Sequence, residues 1–258
     1  MKISVVIQTY NAERFLEKVL NSVKEFDEIV VCDMYSTDRT IEISEQYNCK
    51  IVYHEYTGIV EPARNFAISN ASNDWVLVLD ADEVVTPDLR NYLYDFIKDS
   101  KDINGIRISR KNYFLGRFMH ATYPDYIIRF FRKEVAFWPS TIHTSVVVQG
   151  KVIDLPRKRK ELALIHLVNP SLHLTIEKTN TYSDFEVIRK AGKNYGYFSL
   201  LFRPCFRFIH HYILKGGFRD GIPGLIFAME SSFYKFITIA KIIESKVKPE
   251  DMNDDLKI

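Results

Sequence analysis

An unbroken apolar run, Trp75-Val76-Leu77-Val78-Leu79, ends abruptly in three acids, Asp80, Asp82 and Glu83, with only Ala81 between them. Carboxylates two apart at a strand end can face one side. Hard oxygen ligands in that arrangement suit Mg2+ or Mn2+ held together with substrate phosphates. The run itself reads as a strand buried on both faces of a parallel sheet, and such sheets take ligands outside the carboxyl ends of their strands. A plainer reading is a solvated acidic turn leading into a helix at Thr86-Pro87, where an N-cap Thr and a first-turn Pro are at home.

The elements that must position these acids are legible upstream. Residues 3–8 form a first strand, followed by Thr9, Tyr10 and Asn11 and by a helix with Phe15, Leu16, Val19, Leu20 and Val23 on one side. The pattern repeats. Glu28 to Cys32 is a strand, Ser36-Thr37-Asp38 a capping cluster, Ile41 to Tyr47 a helix, Ile51 to Tyr53 a strand and Glu61 to Asn70 a helix. With residues 75–79 as fourth strand, the first hundred residues alternate β and α, which predicts a parallel α/β sheet covered on both faces. Its ligand crevice would lie among Thr9 to Asn11, Asp33 to Asp38, the region of Arg64, and Asp80 to Glu83. The first glycine is Gly58. A dinucleotide fingerprint or a P-loop after the first strand is therefore excluded, and a bound diphosphate would need a cation instead of a glycine cradle. Arg64 is a candidate supporting cation.

Beyond residue 100 the pattern changes. Residues 105–110 and 126–132 alternate, and Val146 to Val148 is a further short strand. All three are expected to extend the sheet in mixed or antiparallel fashion. The aromatic stretch from Asn112 to Pro124, with Gly116, Arg117 and His120, reads as a loop covering substrate. Residues 1–168 are thus expected to form the catalytic domain. Residues 169–247 form a helical appendage with Pro223-Gly224 between its helices, and residues 248–258 a charged tail. Helical stretches at 198–214 and 225–243 carry interior charges that each cost about 2.5–3.5 kcal/mol in a bilayer centre. They suit a basic, aromatic face lying on a membrane better than a span, and the plainer reading is an ordinary helical subdomain or a homo-oligomer face packing on the sheet.

Net charge is +2, which offers no global attraction for nucleic acid. Aromatic residues make up 14% of the 258-residue chain, and such rings serve as core, as sugar-stacking platforms or as membrane-interface residues, which composition does not separate. Cys32, Cys49 and Cys205 share no ligand spacing and are odd in number, so no disulfide framework is expected and a reducing cytoplasm fits. The chain opens directly into a core strand, without the layout of a signal peptide.

The ordered set of motifs resembles the inverting family-2 glycosyltransferases of GT-A fold, and within them the branch of lipopolysaccharide-core β-glucosyltransferases. It comprises Ser4 to Asn11, Asp33 to Thr40, Ala63-Arg64-Asn65-Phe66-Ala67, and Asp74 to Glu83. It continues through Asn112 to Gly116, Tyr123-Pro124-Asp125 with Arg129 to Arg132, His143, and Lys215-Gly216-Gly217-Phe218 with Asp220, Gly221 and Gly224. The resemblance implies that Thr9, Tyr10 and Asn11 line a nucleotide pocket, that Asp33 accepts from the base and that Arg64 lies beside the nucleotide. It places Asp80 near ribose and metal, Asp82 on the metal, and His143 on the metal or a phosphate. Three positions depart from the pattern: Gln8 where Pro is frequent, Tyr35 where Gly is usual, and Thr144 where Glu often follows the His.

Inverting transfer in one displacement needs a base for the acceptor hydroxyl and a cation for the departing diphosphate. Asp125 is the candidate base, with Glu83 and Glu61 in reserve; its plainer reading is a strand cap paired with Arg129 or Arg132. Arg117, Arg129 and Arg132 are candidate clamps for phosphate or acceptor. The expected reaction moves a sugar from a UDP-sugar to a lipid-linked or lipopolysaccharide-core glycan at the cytoplasmic membrane face, with Mg2+ or Mn2+ as cofactor. Two alternatives stand beside it. Asp80 and Asp82 also match the nucleophile motif of haloacid-dehalogenase-type phosphatases, and the chain could bind sugar nucleotides without catalysis.

Overall fold

The computed structural model describes residues 1–56, 61–100, 102–139, 145–167, 172–190 and 192–247. His143, Thr144 and the charged tail from residue 248 lie outside them, as do the side chains of Glu61 and Pro62.

Strand β1 (Ile3–Thr9) is buried along its whole length. It lies between β2 (Glu28–Asp33) and β4 (Trp75–Asp80), and β3 (Lys50–Tyr53) flanks β2, all four parallel. Helix α1 (Glu13–Val23) presents Leu16, Val19, Leu20 and Val23 to one face of the sheet at helical spacing. There they meet Val5, Ile7, Leu77 and Leu79. Helix α2 (Thr40–Gln46) follows β2, and α3 (Glu61–Ser69) covers the opposite face with Ala63 and Ala67 against Val6, Val30, Val76 and Val78. Burying each such Val, Leu or Ile contributes about 1.5–3 kcal/mol, so β4 is locked from both sides. After the two-residue strand β5 (Glu83–Val84), Thr86 caps α4 (Pro87–Asp99) by accepting from the Leu89 N–H, with Pro87 in the first turn.

Strand β6 (Ile103–Lys111) leads into a hairpin of β7 (Tyr113–Phe114) and β8 (Arg117–Phe118), and β9 (Asp125–Arg132) then enters antiparallel between β4 and β6. The segment around Val147 does not extend this sheet. It forms β11 (Val147–Val148), paired with β10 (Ala136–Phe137) in a separate ribbon. The main sheet is instead completed by two strands parallel to β6, namely β12 (Lys151–Asp154) and β13 (Leu164–His166). These pass unnoticed in the sequence because each is short. The order is β3-β2-β1-β4-β9-β6-β13-β5, with β12 also on β6.

The chain divides into two units. One comprises Met1–Asn112 with Tyr123–Val168, and the other Tyr113–Thr122 with Asn169–Ile258. The aromatic stretch after Asn112 is thus a hairpin of the second unit. What holds it there is Asp220, fully buried, which accepts from the backbone N–H groups of His120 and Ala121 and from His120 Nδ1 at 2.6 Å. Around it stand α5 (Leu172–Arg189), α6 (Tyr197–Ile209) and α7 (Gly221–Glu244). Pro223 and Gly224 lie inside α7, not between helices. Proline is tolerated in a first turn, and a Cβ at Gly224 would fall 1.9 Å from the Gly217 carbonyl oxygen. Among the described residues, no helix is long and apolar enough to cross a membrane.

Candidate active site

Register sets the frame. Thr9 pairs with Asp33, Gln8 with Asp80 and Asp33 with Tyr53, so the carboxyl ends of β1 to β4 finish at one level. Asp33 is fully buried there, accepting from Thr9 Oγ1 at 2.8 Å, Ser36 Oγ at 2.6 Å and Ser36 N at 2.8 Å. Asn11 ties the same two loops, its Oδ1 accepting from Thr37 N while its own N–H donates to Ser36 Oγ. Thr9, Asn11 and Asp33 are therefore gathered, but as a knot that shapes the crevice. The groups facing solvent are aromatic: Tyr10 stacks on Tyr56 with centroids 4.1 Å apart, and Tyr35 stacks on Tyr53 at 5.5 Å. Tyr35 has φ of 58°, a conformation costly for a bulky residue and one that glycine adopts freely.

Asp80 and Asp82 have different surroundings. Asp80 Oδ1 accepts from Arg64 Nη2 at 2.8 Å and its Oδ2 from Arg129 Nη2. Burial by itself would raise the Asp80 pKa, but the guanidinium groups of Arg129 and Arg64 hold it well below the usual carboxylate range. Arg64 also donates to Gln8 Oε1 at 3.3 Å and lies 4.2 Å over the Trp138 ring, so the departure at Gln8 supplies a partner for the arginine. Arg129 is buried and shared: its Nη2 also reaches Glu83 Oε1 at 2.9 Å. Glu83, fully buried, accepts in addition from Arg110 Nη1 at 3.2 Å. Burial pushes the Glu83 pKa up, partly offset by Arg129.

Arg110 continues the chain of charges. Its Nε and Nη2 donate to Asp125 Oδ2 at 2.9 and 2.7 Å, and Asn112 Nδ2 donates to the same oxygen at 3.1 Å. Asp125 is thus held by Arg110, its cross-strand partner, and not by Arg129 or Arg132. Because Asn112 donates through its amide nitrogen to Asp125, its Oδ1 faces His166 Nδ1 at 2.9 Å and accepts from it. His166 Nε2 then lies 3.5 Å from Asp82 Oδ2. Among the described residues, Asp82 Oδ1 is buried without a partner.

A carboxylate and an imidazole nitrogen this close, with a second carboxylate oxygen unpaired among the described residues, are groups that a cation can bridge. Carboxylate with imidazole suits Mn2+ and tolerates Mg2+. Asp82 and His166 therefore fit a divalent ion, whereas both Asp80 oxygens are already engaged by arginine. Among the described residues, no three His, Cys, Asp or Glu side chains form a ready-made cage.

The three arginines expected as clamps are placed as follows. Arg129 is not a free clamp, because it is buried between Asp80 and Glu83. Arg132 pairs in register with Trp75, lies 4.7 Å over that ring and donates to Ser100 O. Five strand residues separate it from the Asp80 level, about 16 Å at 3.3 Å per residue. Arg117 belongs to the second unit, beside Gly221. His166, Asn112 and Arg110 are the residues that sequence reasoning missed. The signal for Arg110 was its place in an alternating strand, whereas β13 was too short to flag His166.

Residues 4–148 match the family described as Glycosyl transferase family 2. The lipopolysaccharide core biosynthesis glycosyltransferase LpsC of Rhizobium meliloti is 27% identical over 258 residues, spanning 95% of this chain and 93% of its own. An uncharacterized glycosyltransferase of Rickettsia felis is 29% identical over 269 residues, spanning 97% and 93%. The fold is similar to that of a mannosyltransferase from Pyrobaculum calidifontis solved in complex with GDP-Man and Mn2+. The TM-score is 0.59 at 14% identity, covering 95% of this chain and 88% of that one.

Proposed function

The chain belongs to glycosyl transferase family 2 and carries a GT-A fold, and from that premise we propose that it is an inverting, metal-dependent glycosyltransferase. It transfers a sugar from a UDP-sugar to a hydroxyl of a lipopolysaccharide-core or other lipid-linked glycan at the cytoplasmic membrane face. The acceptor class is supported by the similarity to LpsC along nearly the whole chain. UDP follows from the resemblance to β-glucosyltransferases, and the use of a divalent ion is supported by the Mn2+ in the mannosyltransferase complex. Membership in this family removes the phosphatase alternative. Asp80, with both oxygens bound by arginine, is also a poor nucleophile.

The observation that carries the reading is the division between the strand-end carboxylates. Asp80 is satisfied internally and fixes Arg64 at the crevice, while Asp82 keeps an unpartnered oxygen beside His166. Asp82 and His166 Nε2 would hold the ion, which supplies positive charge for the departing diphosphate. Tyr10 and Tyr35 offer ring faces for the base. Asp125 Oδ2 is anchored by three donors, so Oδ1 is the oxygen that takes the acceptor hydroxyl's proton.

Calorimetric titration with UDP, with and without Mn2+, tests this. Mn2+ should tighten UDP binding to the native chain. Asp82→Ala should abolish that gain, and His166→Ala should reduce it roughly tenfold or more. Unchanged Mn2+-dependent affinity in Asp82→Ala would sink the metal assignment. Donor binding with neither transfer nor donor hydrolysis would instead mark a sugar-nucleotide-binding module.

A further inference from the structure

Helix α6 is nearly all surface: only Pro204 is buried, although most of its side chains are apolar. Phe198, Phe202, Phe206 and Ile209 recur at intervals of four, four and three, which places them on one stripe. They are 79%, 63%, 63% and 44% exposed. Leaving so many large rings in water is costly, so a contiguous face of this kind calls for a partner.

Charge identifies the partner. From Val187 to Arg219 the chain has no Asp or Glu, yet it carries seven cations: Arg189, Lys190, Lys193, Arg203, Arg207, Lys215 and Arg219. Beside the stripe a groove of about 530 Å³ is lined by Phe202, Phe206, Arg203, Arg207, His210 and Lys235. Arg207 is held in place through Nε to Ser231 Oγ at 3.0 Å, and Arg203 lies 5.1 Å over Tyr195. Among the described residues, no ion pair engages Arg203, Arg207 or Lys235. The nearby carboxylates are committed elsewhere, Glu186 to Arg189 and Lys190 and Glu230 to Thr179. Burial, and then the neighbouring cations Lys190, Arg203 and Arg207, push the Lys235 pKa down, and Glu186 offsets only part of this. On the other side of α6 an apolar groove of about 580 Å³ runs along Cys205, Ile209, Met229 and Phe233.

We propose that α6 and its two grooves form a docking face for an anionic phospholipid surface. The aromatic stripe enters the acyl boundary, and Arg203, Arg207 and Lys235 take a lipid phosphate. A helix with rings on one side and arginines on the other lies in the interface plane, its cations reaching the headgroups along their aliphatic stems. A second copy of the chain fits less well. A two-fold contact would set the same cations against one another with no carboxylate in the segment to pair them. The proposal deepens the membrane location in the functional reading, but it rests on the second unit alone.

Co-sedimentation of the full chain with vesicles separates the outcomes. Partitioning should require phosphatidylglycerol in a phosphatidylcholine vesicle and should fall with salt. Arg203→Glu with Arg207→Glu should cut it roughly tenfold or more. Phe198→Ser with Phe202→Ser should cut it comparably while leaving its salt dependence in place. Unaltered far-ultraviolet circular dichroism and UDP–Mn2+ affinity would show that the variants are folded. Equal binding to vesicles of phosphatidylcholine alone, or none to either kind, would overturn the proposal. So would a dimer in sedimentation velocity that the phenylalanine variant dissolves. Vesicle binding by a chain that fails to bind UDP would leave this proposal standing and remove the transferase reading.

Discussion

At the residue scale, chemistry rests on how each carboxylate is partnered. Asp80, Asp82, Glu83 and Asp125 have the same functional group, and their neighbours assign them different work. Asp80 and Glu83 are consumed by Arg64, Arg129 and Arg110, and Asp82 is left short of a partner. Asp125 receives three donors on one oxygen, which fixes its orientation without occupying the other. If Asp125 is the base, Asp125→Asn should lower kcat by roughly a hundredfold or more while UDP–Mn2+ affinity stays near that of the native chain. Steady-state turnover beside a binding titration measures both. A parallel loss of UDP affinity would place Asp125 on the donor side instead.

At the element scale, the decisive feature is a β-bulge. Ile106 pairs with Phe130 and Arg107 with Ile128, so Arg129 is the extra residue on β9. A bulge re-aims a side chain, and here it accompanies a guanidinium turned into the core between two carboxylates. Removing one partner from a buried charge cluster leaves the others uncompensated, at a cost of about 3–5 kcal/mol. Arg129→Met should therefore lower the unfolding free energy obtained from denaturant titration by that order, and a change within error of zero would show that the cluster is not dry. No alternation in residues 126–132 marks such a bulge. The strands themselves were legible because periodicity is a local property, whereas the partner residue that creates the bulge lies on another strand.

At the scale of the whole molecule, the two units respond differently to acid. In the first, burial would raise the Glu28 pKa, but hydrogen bonds from Ser4 and Ser72 bring it below its ordinary 4.5. Its contribution is complete above 4.5 and is lost only as pH falls through the lower folded value. In the second, burial, reinforced by Arg207, His210 and Lys215, lowers the His211 pKa from 6.5 to about 4, and among the described residues neither ring nitrogen has a partner. On acidification the unfolded chain takes up the His211 proton first, so this contribution is complete above 6.5 and declines from there to about pH 4. Thermal unfolding followed across that window should show Tm falling in the native chain and a flatter profile in His211→Phe. An identical slope in both would remove His211 as the cause.

The sequence by itself determined the β-α alternation, the buried strand ending in Asp80, the Thr86 cap and the lack of a glycine cradle. Each is encoded within a few consecutive residues, where spacing, burial and backbone preference coincide. Only the tertiary structure decided that His166 meets Asp82, that Arg110 and not Arg129 or Arg132 holds Asp125, and that the hairpin after Asn112 is fastened to Asp220. Those pairings join residues far apart in the chain. They depend on strand order and register, which a linear pattern does not contain, and on short strands such as β13 whose stability comes from their neighbours, not from their own composition.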